Sequence, residues 1–96
     1  MLLSEVKRIL VKHKKELMQR GADTLALFGS VARNEATNES DVDILIDFDS
    51  NKGMFQFVNL KRYLKNLLGC EVDLVSYHTI RPALKERILH EAKRVF

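Results

Sequence analysis

Thr24-Leu25-Ala26-Leu27-Phe28-Gly29-Ser30 and Asp41-Val42-Asp43-Ile44-Leu45-Ile46-Asp47-Phe48 bracket a mostly polar connection of ten residues. Residues 24–28 are apolar on both alternations and stop at a glycine, which fits a strand covered on both faces. Val42, Ile44, Ile46 and Phe48 alternate with Asp41, Asp43, Leu45 and Asp47, the period-two pattern of a second strand over 42–48 with one apolar face. The connection between them is turn-rich, with room for one short helical turn near Ser30 to Arg33.

Outward from this pair the pattern becomes helical. Val6, Ile9, Leu10, His13 and Leu17 recur at helical spacing and predict a helix from Ser4 to Arg20, with Ser4 as N-cap and Gly21 as its stop. His13 reads as a structural histidine beside that apolar stripe. Asp49-Ser50-Asn51-Lys52-Gly53 is turn chemistry. Met54 to Leu68 is a helix through Phe57, Leu60, Leu64 and Leu67, closed by Gly69. Glu71 to Val75 is a third short strand. Thr79 to Val95 predicts a last helix, with Pro82 in its first turn and Ile80, Leu84, Ile88 and Val95 as its stripe. The order helix, strand, strand, helix, strand, helix implies an α/β (α+β) fold, one sheet with helices packed against it.

The 96 residues suffice for one domain, residues 1–96, and not for two. The 46% hydrophobic content is ordinary for a soluble globular chain. No apolar run approaches the roughly 18 residues of a membrane span, and the first residues lack the pattern of a secretion signal. One cysteine, Cys70, forms no internal disulfide, so the expected location is the cytoplasm, with no membrane partner. The net charge of +3 suits an anionic partner such as a nucleotide, but no long basic run marks a nucleic-acid surface. Nucleic acid is therefore not expected as a direct partner.

The chemistry concentrates in Asp41, Asp43 and Asp73. Asp41 and Asp43 lie two apart, so their side chains share a face about 6–7 Å apart along the backbone. Like charges that close repel, and a divalent cation between them removes the conflict. Hard carboxylate oxygens favour Mg²⁺ or Mn²⁺. Asp73, between Val72 and Leu74, is the natural third ligand if its strand neighbours the second. Gly29 lets a backbone approach a bulky anion, Ser30 offers a hydroxyl, and Arg33 offers a guanidinium for a polyphosphate. Each element alone is weak: Gly-Ser pairs usually make turns, and Asp-x-Asp pairs are common on exposed strands. Their order on matching strand ends makes them specific.

Gly29-Ser30, ten residues, then Asp41-Val42-Asp43 resembles the signature of the DNA polymerase β-like nucleotidyltransferase superfamily. Phe28-Gly29-Ser30-Val31-Ala32-Arg33 with Ser40-Asp41-Val42-Asp43-Ile44-Leu45-Ile46 is similar to its minimal branch, the MNT domains. Val72-Asp73-Leu74-Val75 and the segment from Arg81-Pro82 through Ile88-Leu89 to Glu91-Ala92 extend the resemblance over nearly the whole chain. One departure is Asn34, where many such domains carry glycine. Asparagine tolerates left-handed backbone next best, so the turn is expected to persist.

The resemblance implies the nucleotidyltransferase fold, a small mixed sheet flanked by helices, and transfer of a nucleotidyl group from a nucleoside triphosphate to a hydroxyl. It implies Asp41, Asp43 and Asp73 as catalytic metal ligands for two Mg²⁺ ions, with Mn²⁺ an alternative. It implies Gly29, Ser30 and, less directly, Arg33 as the phosphate contacts. Minimal members are typically paired with a HEPN-domain ribonuclease toxin. Their antitoxin members move AMP from ATP to a toxin tyrosine, and this is the expectation for the present chain. Two alternatives stay open: a non-catalytic antitoxin that neutralises its partner by covering it, and nucleotidyl transfer to RNA or a small molecule. Val95-Phe96 is expected to pack on the chain's own core. Self-pairing into a homodimer in the absence of a partner is a further option.

Overall fold

The computed structural model describes residues 2–96, and its centre is a four-stranded sheet in the order β3-β2-β1-β4. β1 (Ala22–Phe28) and β2 (Val42–Phe48) are antiparallel, with Leu25 opposite Ile46 and Phe28 opposite Asp43. β3 (Val72–Ser76) runs parallel to β2, and β4 (Lys93–Arg94) pairs antiparallel with β1. The sheet is thus mixed, as the resemblance implied. The parallel junction exists because the connection from β2 to β3 is a helical crossover, which returns the chain to the same end of the sheet.

The alternation seen in β2 separates two faces. Val42, Ile44 and Ile46 are buried inward together with Leu25, Leu27, Val72 and Leu74. Helices α1 (Leu3–Lys12), α2 (Lys14–Gln19) and α4 (Gly53–Leu68) supply Val6, Leu10, Leu17, Leu60, Leu64 and Leu68 to the same core. Burying each such side chain contributes about 1.5–3 kcal/mol before conformational entropy is counted. The opposite face carries Asp43, Leu45 and Asp47 from β2 and Asp73 from β3. It is covered only in part, so the first strand is not sandwiched as its composition suggests; Thr24 and Ala26 are half-buried on that side.

Four local departures from the sequence reading have physical causes. The first helix is broken at His13, whose amide donates back to Ile9 and Leu10 and whose carbonyl accepts from Leu17 of α2 at 3.0 Å, while its ring lies 2.9 Å from the Ile9 carbonyl. His13 lies outside the cleft-lining residues described below. The helix begins at Leu3, so Ser4 lies in the first turn, and Leu2, the cap, makes no side-chain capping bond. The last helix, α5 (Pro82–Glu91), starts on its proline but ends four residues before Val95. Ala92 takes an extended conformation, and the chain turns into β4. There Val95 donates to the Leu25 carbonyl at 2.8 Å, and Leu25 donates to Phe96 at 3.1 Å. Val95 and Phe96 thereby pack against the core, as expected. No helix among the described residues is long and apolar enough to cross a membrane.

Candidate active site

The connection after β1 opens as the short helix α3 (Gly29–Ala32), the helical turn foreseen near Ser30. Gly29 is at φ +70°. A Cβ added there would overlap the Asp43 carboxylate outright and lie 2.9 Å from its Cγ. The close approach that glycine permits is therefore, first of all, to the carboxylate across the β1–β2 ladder. The turn then leaves through Asn34 at φ +57°, the left-handed residue expected in place of glycine. Its side-chain oxygen accepts from the Leu3 amide at 3.3 Å, which ties the turn to the start of α1.

Asp41 stands one residue before β2, whose first amide, on Val42, donates to the Glu71 carbonyl at 3.0 Å. Asp43 is the second residue of β2 and Asp73 the second of β3, and the parallel ladder sets them side by side. Asp43 is half-buried while Asp41 and Asp73 are exposed. Partial burial of the Asp43 carboxyl, reinforced by the charges of Asp73, Asp41 and Glu91 and opposed by Arg33, pushes its pKa up to about 6. This is a carboxylate group short of positive charge. The three aspartates predicted from sequence are thus brought to one end of one sheet face. No group of three His, Cys, Asp or Glu side chains converges into a ready-made metal cage among the described residues. The oxygen-only donor set and the uncompensated charge around Asp43 fit a hard divalent cation.

A cleft of about 350 Å³ opens beside Asp43, at the small end of the ~300–1,000 Å³ range of small-molecule sites. Phe28, Gly29, Ser30, Arg33 and Asp43 form one wall, and Leu84, Arg87, Ile88 and Glu91 of α5 form the other. The predicted phosphate residues therefore do share one cavity. Arg33 is not free within it. Its Nε lies 3.3 Å from Glu35, and its Nη1 pairs with Glu91 across the cleft. Sequence reasoning missed the α5 wall. Helical spacing makes Leu84 and Ile88 part of a core stripe, yet α5 buries no residue, and Leu84 is 46% exposed. The signal was available: Leu84, Arg87, Ile88 and Glu91 recur at i, i+3, i+4, i+7 and share one face. A second depression, of about 300 Å³, lies on the same side of the sheet and includes Thr24, Ala26, Leu45 and Asp47.

The pattern of the polymerase beta nucleotidyltransferase family matches residues 5–96. The chain belongs to this family. The protein adenylyltransferase MntA of Thermococcus cleftensis is 42% identical over 90 residues, covering 93% of this chain and 91% of its own length. A Methanocaldococcus jannaschii protein provisionally named a protein adenylyltransferase is 42% identical over 92 residues, 96% of each chain. A solved structure provisionally named a minimal nucleotidyltransferase aligns at TM-score 0.85 and 35% identity, covering 97% of this chain and 95% of that one. A chain from the complex of a tri-AMPylated Shewanella oneidensis HEPN toxin with its MNT antitoxin aligns at TM-score 0.71 over 99% of this chain and 72% of that one. At 18% identity that likeness shows the common fold. The small mixed sheet flanked by helices is the minimal nucleotidyltransferase fold.

Proposed function

We propose that this chain is an antitoxin enzyme that transfers AMP from ATP to a tyrosine hydroxyl of a partner HEPN-domain toxin. The observation that carries this reading is the Asp43–Asp73 register pair, with Asp41 beside it, at the edge of the Gly29-Ser30 cleft. Nucleotidyl transfer follows from the family. The choice of AMP, and of a protein as acceptor, rests on relatives named protein adenylyltransferases. The HEPN partner rests on a fold neighbour solved with such a toxin.

Asp41 and Asp43 would hold two Mg²⁺ ions, or Mn²⁺, and Asp73 would complete the site nearer the acceptor. Bound there, the cations supply Lewis acidity at the α-phosphate and neutralise charge on the pyrophosphate. Ser30 and the Gly29 backbone hold the triphosphate, and Arg33 lines the same cleft. The tyrosine oxygen bonds to the α-phosphorus, and the bond from that phosphorus to the β-bridging oxygen breaks. Pyrophosphate leaves with the electron pair. The phenolic proton passes to the Asp73 carboxylate, which is exposed on the acceptor side of the sheet. Once AMP occupies the tyrosine, a bulky anion replaces a neutral hydroxyl and silences the toxin.

The direct test incubates the protein with α-labelled ATP, Mg²⁺ and a HEPN-domain protein as acceptor. Label is expected on a toxin tyrosine, and it should vanish when Asp41→Ala and Asp43→Ala are combined. Transfer that survives the double substitution refutes the mechanism.

A second reading, neutralisation by coverage alone, draws on one feature. Met54 and Phe55, at the start of α4, are 75% and 88% exposed and offer an apolar contact surface. Undiminished neutralisation by an Asp41→Asn variant at equal dose would favour it.

A further inference from the structure

The cleft holds two guanidinium groups, and they are in different states. Arg33 faces two carboxylates, Glu35 and Glu91, so its charge is already matched within the chain. Among the described residues the ion pairs are Arg20–Glu16, Arg33–Glu35, Arg33–Glu91, Lys65–Glu71 and His78–Asp47. Arg87 is in none of them, yet it lines the same cleft as Gly29, Ser30 and Asp43. It is one turn before Glu91 on α5, so the helix face that meets Arg33 also points Arg87 toward the cavity. The neighbouring cation on this helix, Lys85, is drawn the other way, 4.4 Å from the Tyr77 ring centroid.

A nucleoside triphosphate carries about four negative charges, and the carboxylate end of this cleft repels them unless divalent cations intervene. The far end of the phosphate chain then needs a cation of its own. A guanidinium presents two parallel N–H donors to phosphate oxygens and stays charged at any working pH. We propose that Arg87 is the nucleotide-binding side chain for the terminal phosphates, whereas Arg33 is paired with Glu91 of the α5 wall. The assignment rests on the nucleotide site proposed above. It reverses the weight that sequence spacing gives to Arg33.

The test compares wild type with Arg87→Gln and Arg87→Lys, all with Mg²⁺, by calorimetric titration of a non-hydrolysable ATP analogue and of adenosine. Thermal melts confirm that each variant is folded. Arg87→Gln is expected to weaken the analogue by about 10- to 100-fold, the worth of one charge-assisted phosphate contact, and to leave adenosine unchanged. Arg87→Lys should recover part of the loss, because it keeps the charge and lacks the fork. In turnover, KM for ATP should rise more than kcat falls. Wild-type binding of the analogue with an equal affinity in Arg87→Gln overturns the assignment and leaves the nucleotide site standing. An equal loss for adenosine also overturns it, since the cleft as a whole would then have been damaged. Failure of folded wild type to bind the analogue overturns both.

Discussion

Asp43 and Asp73 are register partners across the parallel junction of β2 and β3, so two carboxylates share neighbouring positions on strands about 4.8 Å apart. In the absence of metal this arrangement opposes folding. Asp73→Asn should therefore raise the metal-free melting temperature at neutral pH and shrink the further rise that Mg²⁺ produces. If Asp73 is the base proposed above, the substitution should also cut AMP transfer by about 100-fold or more, the scale of losing a general base. A variant that is less stable than wild type without metal contradicts this account.

The pH dependence follows from Asp43. Its carboxyl has a pKa near 6 in the fold against 3.8 as an ordinary aspartate, chiefly through partial burial and then the charge of Asp73. Between these values the unfolded chain loses the proton while the folded chain keeps it. Metal-free stability should therefore fall as pH rises from about 3.8 to 6 and then level off. If Mg²⁺ binds the Asp43 carboxylate, as proposed, it competes with that proton, and its stabilising effect should grow through pH 6 and hold above it. Thermal melts with and without Mg²⁺ across pH 4–8 measure both limbs. A Mg²⁺ effect independent of pH would separate Asp43 from the cation.

Gly29→Ala should be costly for two separable reasons. The positive φ of Gly29 penalises a side chain by about 1 kcal/mol. The overlap with the Asp43 carboxylate adds roughly 1–3 kcal/mol, or displaces Asp43 instead. Combined with Asp43→Ala, the overlap with the carboxylate disappears. The φ penalty stays, together with a tight 3.2 Å contact to the remaining Cβ. Denaturant unfolding of the two single variants and the double should show that non-additivity. Strict additivity would mean the two residues do not meet.

Glu91→Gln removes the carboxylate that pairs with Arg33 across the cleft. Both groups are partly solvated, so global stability should change by less than about 1 kcal/mol. Hydrogen exchange should tell a different story: amides of α5 exchange faster, while those of β1 and β2 do not. Uniform acceleration over the whole sheet would rule out a local role for this pair.

Much of this is legible in the sequence alone. β2 begins and ends where its alternation says, and the left-handed geometry at Asn34 follows from residue type. The aspartates could be grouped because strand periodicity fixes which way a side chain points. Less regular elements escaped. β4 has two residues, too few for any period, and Val95 continues the helical spacing of Ile88 although Ala92 has already left the helix. Helical spacing puts Arg87 and Glu91 on one face with Leu84 and Ile88, but a charged helix face looks the same whether it borders water or a cleft. Only packing distinguishes the two, and packing is a long-range property.

Helix α5 buries none of its residues, yet the segment that follows it is stitched to β1 by Lys93, Arg94, Val95 and Phe96. It is in effect a rim fastened to the sheet at both ends, through β3 before it and β4 after it. Its latches along the way are the Arg33–Glu91 pair and the stacking of Lys85 on Tyr77. Changing its outward and cleft-facing residues disturbs no buried core side chain. The wall of the cleft and the sheet that carries the carboxylates are therefore separate parts, and selection can alter the first without loosening the second.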